Sequence, residues 1–432
     1  MLSIQVGQCG SRNGLKFWEI LAKEHGIDEN GQYIGNSKDQ LSHICSYFNE
    51  GVDRYVPRTI FIDLDPRSED SVKASSLGSL FSPGSFLSGK AGGMNNFAIG
   101  YYIDGSELID PFLDIVRHEA EKSDIFIGAQ LAFSVGGGSG SGIGANALRV
   151  LKEEHFGCLF QSSIVLPSPK VSDIVIEPYN AVLALHKICE YPRLNLLYDN
   201  EALHDICTRN FNNMKPTYAD LNRIISASMV NLSSTMRFPS QISGGLRKIA
   251  TNLIPFPRLN FLSPSLSPLE KFQNYQPTQF EIIQKLFNPE NWLISHDLHW
   301  GMTYAAALIL RGDFSPQKTI EELNNIKYQN DYYFDWISDN FFTAICNTPS
   351  LDWKMSASML TNSTYISKIL NNIVDAFTEM FRKKAYLHWY TQEGMDEMEF
   401  VEAESDLLDL ISQYSEMDGA DFGDEEDYED EE

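Results

Sequence analysis

A nine-residue stretch, Ser134-Val135-Gly136-Gly137-Gly138-Ser139-Gly140-Ser141-Gly142, constrains this chain more than any other. The apolar run from Ile125 to Val135 reads as a buried strand. Ile143, Ala147, Leu148 and Leu151 then recur at helical spacing, which predicts a helix over Gly144 to Phe156. A glycine-dense turn between strand and helix leaves backbone N–H groups unobstructed, with the positive end of the helix dipole, roughly half a charge, behind them. Such a turn holds phosphate. Rival readings fail on particular residues. No Gly-Lys-Ser/Thr follows, as a P-loop needs, and no strand ending in Asp or Glu follows about 20 residues on, as a dinucleotide fingerprint needs. Neither Ser139 nor Ser141 has glycine two positions away on both sides, so the stretch is not a hydrolase elbow. A flexible Gly/Ser linker is a poor fit between an apolar strand and a well-formed helix.

The same strand–turn–helix pattern recurs along the first 200 or so residues. Met1 to Val6 runs into Gly7-Gln8-Cys9-Gly10 and an apolar-striped helix, and Thr59 to Leu64 ends in Asp63-Leu64-Asp65-Pro66. Two carboxylates past a strand end, beside a phosphate site, suit Mg²⁺; the competing reading is a turn stabilised by Asp side chains. Gly89 to Asn96 is a further glycine-rich loop, with amides able to meet phosphate oxygens. Cys158 to Leu166 and Leu194 to Tyr198 read as strands, each followed by a helix. Polar and glycine turns at the strand C-ends specify an α/β fold, a doubly wound, mostly parallel sheet with its ligand at that edge. Beyond it, Tyr218 and Asn222 offer an aromatic face and an amide edge suited to a purine, although a lone Tyr is more often a core residue. The expected division is a nucleotide domain over 1–199, a mixed α+β intermediate domain over 200–365 and C-terminal helices over 366–415. An acidic tail, 416–432, follows.

Charge decides which partners to exclude. The net charge is −26, and Glu416 to Glu432 carries eleven acidic residues and no Lys or Arg, leaving −15 on the body. Nucleic acid needs a basic face and is excluded as a ligand. The tail cannot repay the entropy of ordering and suits basic protein partners. The six cysteines form no Cys-x-x-Cys pair, which fits reduced thiols. No signal peptide or membrane-span pattern is visible, so the expectation is a cytosolic chain. His296 and His299, the one close His pair, lack a third ligand for zinc.

Gly7-Gln-Cys-Gly10, Pro167-Ser-Pro-Lys-Val-Ser-Asp173, Glu177-Pro-Tyr-Asn180, Asp199-Asn-Glu-Ala-Leu203, Pro255-Phe-Pro-Arg258, Met355-Ser-Ala357, His388-Trp-Tyr-Thr391 and Glu393-Gly-Met-Asp-Glu-Met-Glu-Phe400 resemble tubulin in order across the chain, and β-tubulin within it. The glycine stretch resembles the family's Gly-Gly-Gly-Thr-Gly-Ser-Gly signature, with Ser139 in place of Thr. The resemblance implies a GTP/GDP-binding subunit that pairs with α-tubulin and polymerises into microtubules. It implies that Gln8, Cys9, Asn95, Ser134, Gly138, Ser139 and Gly140 contact phosphates and that Asp65 lies near Mg²⁺. Asn200, Tyr218 and Asn222 would hold guanine, with Asp173 and Glu177 at the ribose. Lys248 stands where α-tubulin has a water-positioning Glu. The resemblance therefore implies a β-type chain with no catalytic residue of its own, whose GTP is cleaved when the next α subunit docks. The expected setting is the cytoplasm and its microtubule cytoskeleton, a cilium or other specialised array included. Lateral tubulin neighbours and basic microtubule-associated proteins or motors would be partners.

Departures from the β pattern fall on working surfaces. Ser11-Arg12-Asn13 adds a cation beside the pocket, and Met94 replaces a glycine in the Gly-Asn-Asn loop. Ser243 to Gly245 lacks an amide and a carboxylate of the inter-subunit contact, and the lateral loop, Leu269 to Gln279, is short and lacks arginine. A divergent, non-polymerising chain that sequesters α-tubulin or tubulin-binding factors is the alternative expectation. A metabolic α/β enzyme is disfavoured, because no nucleophile–base pair or metal cluster is visible.

Overall fold

Short runs such as Leu2–Val6, Thr59–Asp63 and Leu159–Leu166 bury every residue, and they become interior strands of a sheet covered on both faces. The computed structural model describes residues 1–168, 172, 174–211, 215–242, 245–269, 276–295, 301–329, 333–334, 337 and 339–419. Its strands are β1 (Leu2–Val6), β2 (Phe48–Glu50), β3 (Tyr55–Pro57), β4 (Thr59–Asp63), β5 (Phe86–Ser88), β6 (Gly128–Ser134), β7 (Leu159–Leu166), β8 (Leu194–Asp199), β9 (Ser240–Ile242), β10 (Phe261–Ser267), β11 (Thr303–Arg311), β12 (Phe341–Cys346) and β13 (Ser356–Ser363). The helices are α1 (Gly7–His25), α2 (Pro66–Lys73), α3 (Phe97–Tyr102), α4 (Asp104–Glu121), α5 (Gly138–Glu154), α6 (Glu177–Ile188), α7 (Asn200–Phe211), α8 (Tyr218–Arg237), α9 (Leu246–Leu253), α10 (Gln279–Leu286), α11 (Pro316–Gln329), α12 (Ile366–Arg382), α13 (His388–Thr391) and α14 (Glu397–Gly419).

Eleven strands form one sheet in the order β5-β4-β1-β6-β7-β8-β10-β13-β11-β12-β9. From β5 to β8 every pairing is parallel. Counted by first appearance, these strands lie in the order 3-2-1-4-5-6 of a doubly wound nucleotide fold, whose switch point falls between β1 and β6. β10 continues the sheet parallel to β8, β13 runs antiparallel to β10 and β11, and β9 closes the far edge antiparallel to β12. The mixed second region therefore extends the nucleotide sheet. α8 packs across α1 and also reaches β11 and β13, while α12 and α14 cover α6. The C-terminal layer buries Phe377, Tyr390, Phe400, Leu407 and Tyr414.

Three local expectations are corrected. The strand after residue 125 begins only at Gly128, and Ile125 and Ile127 are exposed. The helix after the glycine stretch begins at Gly138 rather than Gly144, and its first turn is glycine-rich where neighbouring backbone leaves no room for a Cβ on Gly138, Gly140 or Gly142. Gly7, at φ +71°, turns β1 straight into α1, so Gln8 and Cys9 sit in the first helical turn rather than in a separate loop.

Candidate functional site

Because β1, β4, β6, β7 and β8 are parallel, their carboxyl ends and the N-termini of α1, α2, α5, α6 and α7 share one edge. Helix N-termini supply unpaired N–H groups and positive potential, which is what an anion needs. The centre of this edge is a close approach of backbones. A Cβ on Gly138 would lie 2.5 Å from Asn96 N and Gly93 O, and one on Gly140 would lie 2.3 Å from Ser134 O. A Cβ on Gly7 would meet Gly140 N at 3.1 Å, so the N-termini of α1 and α5 touch across the switch point. Ser139, half-buried, borders Gly93, and Ser134 accepts the Gly136 N–H at 3.3 Å. The result is a cradle of backbone and short side chains.

The loop between β5 and α3 closes over this cradle. Asn96 is buried and caps α3 by accepting the Ala98 N–H at 2.9 Å. Met94 and Asn95, both exposed, hold φ of +45° and +55°. Left-handed backbone costs a non-glycine residue roughly 1–2 kcal/mol, less for Asn, so this turn is strained at Met94. Met94 departs from glycine where the backbone asks for glycine. Asn95 reaches the glycine stretch, since a Cβ on Gly137 would lie 3.9 Å from its Oδ1.

Carboxylates stand at two sides. Asp65 is the N-cap of α2, accepting the Arg67 N–H at 3.0 Å, and it also pairs with the Arg67 guanidinium at 2.8 Å. Arg67 holds the Asp65 carboxyl below the usual range. A Cβ on Gly92 would lie 3.7 Å from Asp65 Cβ, so Asp65 borders the same loop. Asp63 does not join it, because its buried carboxylate accepts the Ser68 hydroxyl. Of the two expected carboxylates, one is spent inside the fold. Asp65, with Arg67 as its present partner, is the one carboxylate here that fits an ion taking a single carboxylate together with phosphate oxygens and water. Among the described residues no group of three His, Cys, Asp or Glu side chains could hold a metal by itself. On the other side Glu177 opens α6, half-buried beside Gly136, and accepts the Ser172 hydroxyl at 2.6 Å. Burial raises its carboxyl pKa against that hydrogen bond. Asp173 and the His296/His299 pair lie outside the described residues.

Gln8 is exposed and Cys9 half-buried at the start of α1. Burial pushes the Cys9 thiol up to about 11, with the exposed Arg12 pulling the other way. The Asn13 amide lies 3.8 Å from Cys9 Sγ, and Ser226 of α8 donates to Asn13 O at 3.0 Å, which ties α8 to this corner. Tyr218 and Asn222 lie one turn apart on α8, hence on one face. Tyr218 is 53% exposed, so the core alternative does not hold, whereas Asn222 is buried. Asn200 opens α7, which packs against α8. Lys248 is separate from the cradle, exposed on α9 beneath β11 and β12.

Two residues were missed as contributors. Burial pushes the Asp199 carboxyl up to about 6 at the end of β8, where it accepts the Glu201 N–H at 3.0 Å. Asn180, fully buried, bonds both loops of the cradle, at Asn95 O and Gly136 O. The Glu177-Pro-Tyr-Asn180 motif marked the region without giving Asn180 a role.

An open parallel sheet with a backbone cradle at its switch point defines a nucleotide-binding class. Residues 1–208 match the Tubulin/FtsZ family, GTPase domain, and residues 257–375 match the Tubulin C-terminal domain. With both domains present in order, the chain belongs to the tubulin family. The GTPase domain implies guanine-nucleotide binding and GTPase chemistry. Among the described residues no helix is long and apolar enough to cross a membrane.

Proposed function

We propose that the chain is a β-type tubulin subunit that binds GTP at the cradle, pairs with α-tubulin and polymerises into microtubules in the cytoplasmic cytoskeleton. In this reading the backbone N–H groups of Gly138, Ser139 and Gly140, with Gln8, Cys9, Ser134 and Asn95, hold the phosphates. Glu177 and Asp173 meet the ribose, Asn200 and Asn222 read the guanine edge, and Tyr218 stacks on its face. Asp65 would be the protein's ligand to Mg²⁺, which offsets charge on the terminal phosphates. The division into 1–199, 200–365 and 366–415 follows the same reading, with the acidic tail recruiting basic proteins.

The observation that carries the β assignment is Lys248. It is an exposed cation on α9, remote from the cradle, where an α-type chain would need a carboxylate to position water in its neighbour's site. A cation cannot act as that base. The chain then supplies no catalytic group, and its own GTP is cleaved only when an α subunit docks on the cradle edge.

Co-polymerisation tests this. The purified chain is mixed with α-tubulin and GTP, the polymer is pelleted, and chain and released phosphate are both quantified. Stoichiometric pelleting with phosphate release that tracks assembly is expected. If the chain binds α-tubulin and GTP but stays in the supernatant and lowers total polymer, sequestration replaces this reading. The strained, exposed Met94 on the docking edge is the feature that would favour that outcome.

A further inference from the structure

Four non-glycine residues hold positive φ among the described residues: Met94, Asn95, Lys384 and Tyr386. They are far apart in sequence, yet they lie on two segments that are bonded to each other. Asn96 donates through Nδ2 to Trp389 O at 2.9 Å, and Tyr179 donates its hydroxyl to Ala385 O at 2.8 Å. Between them stands Asn180. Its Nδ2 donates to Asn95 O at 2.6 Å and Gly136 O at 2.8 Å, and its Oδ1 accepts Phe97 N at 3.0 Å and the Tyr390 hydroxyl at 2.8 Å. A side-chain amide has two donor hydrogens and two acceptor lone pairs, and here all four are used.

We propose that Asn180 is a positioning residue that couples the occupancy of the terminal-phosphate position to the conformation of residues 384–391. The proposal rests on the nucleotide reading above and adds a route out of the site. Left-handed backbone at non-glycine residues persists only where the surroundings over-determine it. Asn180 bonds the first segment at Asn95 and Phe97 and the second at Tyr390, and its neighbour Tyr179 bonds Ala385 between Lys384 and Tyr386, so both strained segments are tied to adjacent residues of α6. When phosphate engages the loop at Asn95, the Asn95 carbonyl on Asn180 moves with it. A fully satisfied buried amide cannot lose one partner cheaply, so the shift passes to Tyr390. Lys384, bonded to both carboxylate oxygens of Glu397 at 3.0 and 2.8 Å, carries it to the start of α14. Tyr386 and Trp389 are exposed, so the segment that responds is surface.

The test is hydrogen–deuterium exchange of residues 384–391 in the full chain, nucleotide-free, with GDP and with a slowly hydrolysed GTP analogue. Binding is followed in parallel with mant-labelled GTP. The variant is Tyr179→Phe with Tyr390→Phe, which deletes two of the bridging hydroxyls while keeping both rings in their aromatic cluster. In the wild type, exchange at 384–391 should differ about fivefold between the analogue and GDP states. In the double variant that difference should collapse while mant-GTP affinity stays within about threefold of wild type. Equal exchange in all three states while mant-GTP binds overturns the coupling, and a difference that survives the double variant overturns the route. Failure of the wild-type chain to bind mant-GTP overturns the nucleotide reading and this inference with it, and it is read in the binding titration alone.

Discussion

The phosphate cradle and the junction between the two regions of the sheet are both buried meeting points of distant segments, and they are built by opposite means. At the cradle side chains are removed: Gly138 and Gly140 let backbone approach backbone where a Cβ would lie within 2.5 Å of another chain atom. At the junction long charged side chains fill the space. Glu24 of α1 pairs with Arg237 of α8 and Arg311 of β11, each at 2.8 Å, and all three are buried. Arg311 also donates to Asn231 Oδ1 at 2.9 Å, and Arg237 to Val230 O at 2.8 Å. Burial alone would raise the Glu24 carboxyl, but Arg311 and Arg237 hold it down. The neighbouring His25 ring is pushed down to about 4 by burial and by Arg237, so it stays neutral and stacks on Phe238. A cradle of bare backbone leaves its polar groups open to a ligand, whereas a junction of paired charges closes upon itself. The first is fit for exchange of a ligand and the second for fixing α1 against the mixed strands.

That contrast is broken most severely at the junction. Glu24→Gln removes the one carboxylate that pairs with these two guanidiniums among the described residues, and an unbalanced buried charge costs about 3–5 kcal/mol. Urea unfolding should show that loss of stability as a fall in midpoint. A loss under about 1 kcal/mol would mean that water or a shifted carboxylate already screens the pair.

At the cradle the expected effect is smaller in stability and larger in function. Gly138→Ala forces a Cβ against Asn96 N and Gly93 O, and overpacking of this kind costs about 1–3 kcal/mol. Because the displaced atoms border the proposed phosphate position, the cost should appear mainly as about 10–100-fold weaker mant-GTP binding. Gly245→Ala, with no described residue within 4 Å of the added Cβ and an ordinary φ of −60°, should leave binding and stability within about 0.5 kcal/mol of wild type. Equal effects of the two substitutions would remove the distinction between the cradle glycine and a glycine outside the cradle.

Much of the cradle was legible because backbone sites write themselves into sequence as glycine and as strand–turn–helix periodicity. The junction was not legible. Glu24, Arg237 and Arg311 are unremarkable charges in sequence, and nothing local marks them as buried, since their pairing spans 287 residues. Asn180 was hidden for a related reason: its motif was recognisable, but four partners drawn from three segments are a property of tertiary structure. Asp63 and Asp65 look alike in sequence, but Asp63 is buried with the Ser68 hydroxyl and the Asp65 N–H on its carboxylate, whereas Asp65 borders the cradle loop and pairs with Arg67.

Met94 is where the cradle departs from its own rule, and it yields the smallest predicted effect. Its φ of +45° and 75% exposure mean that the side chain contributes little packing to offset the backbone cost. Met94→Gly relieves roughly 1–2 kcal/mol of strain in the folded chain but restores backbone entropy to the unfolded one, costing about 0.5–1 kcal/mol. The melting temperature should therefore rise by only a few degrees or less. Binding should respond more clearly, because a strained loop occupies its competent conformation only part of the time and apparent affinity scales with that fraction. We expect mant-GTP to bind about two- to fivefold tighter to Met94→Gly. Unchanged affinity would mean that the Asn180 hub holds the loop fully competent despite Met94. The strain would then be borne by side-chain hydrogen bonds, and the cradle would depend on the kind of interaction that builds the junction.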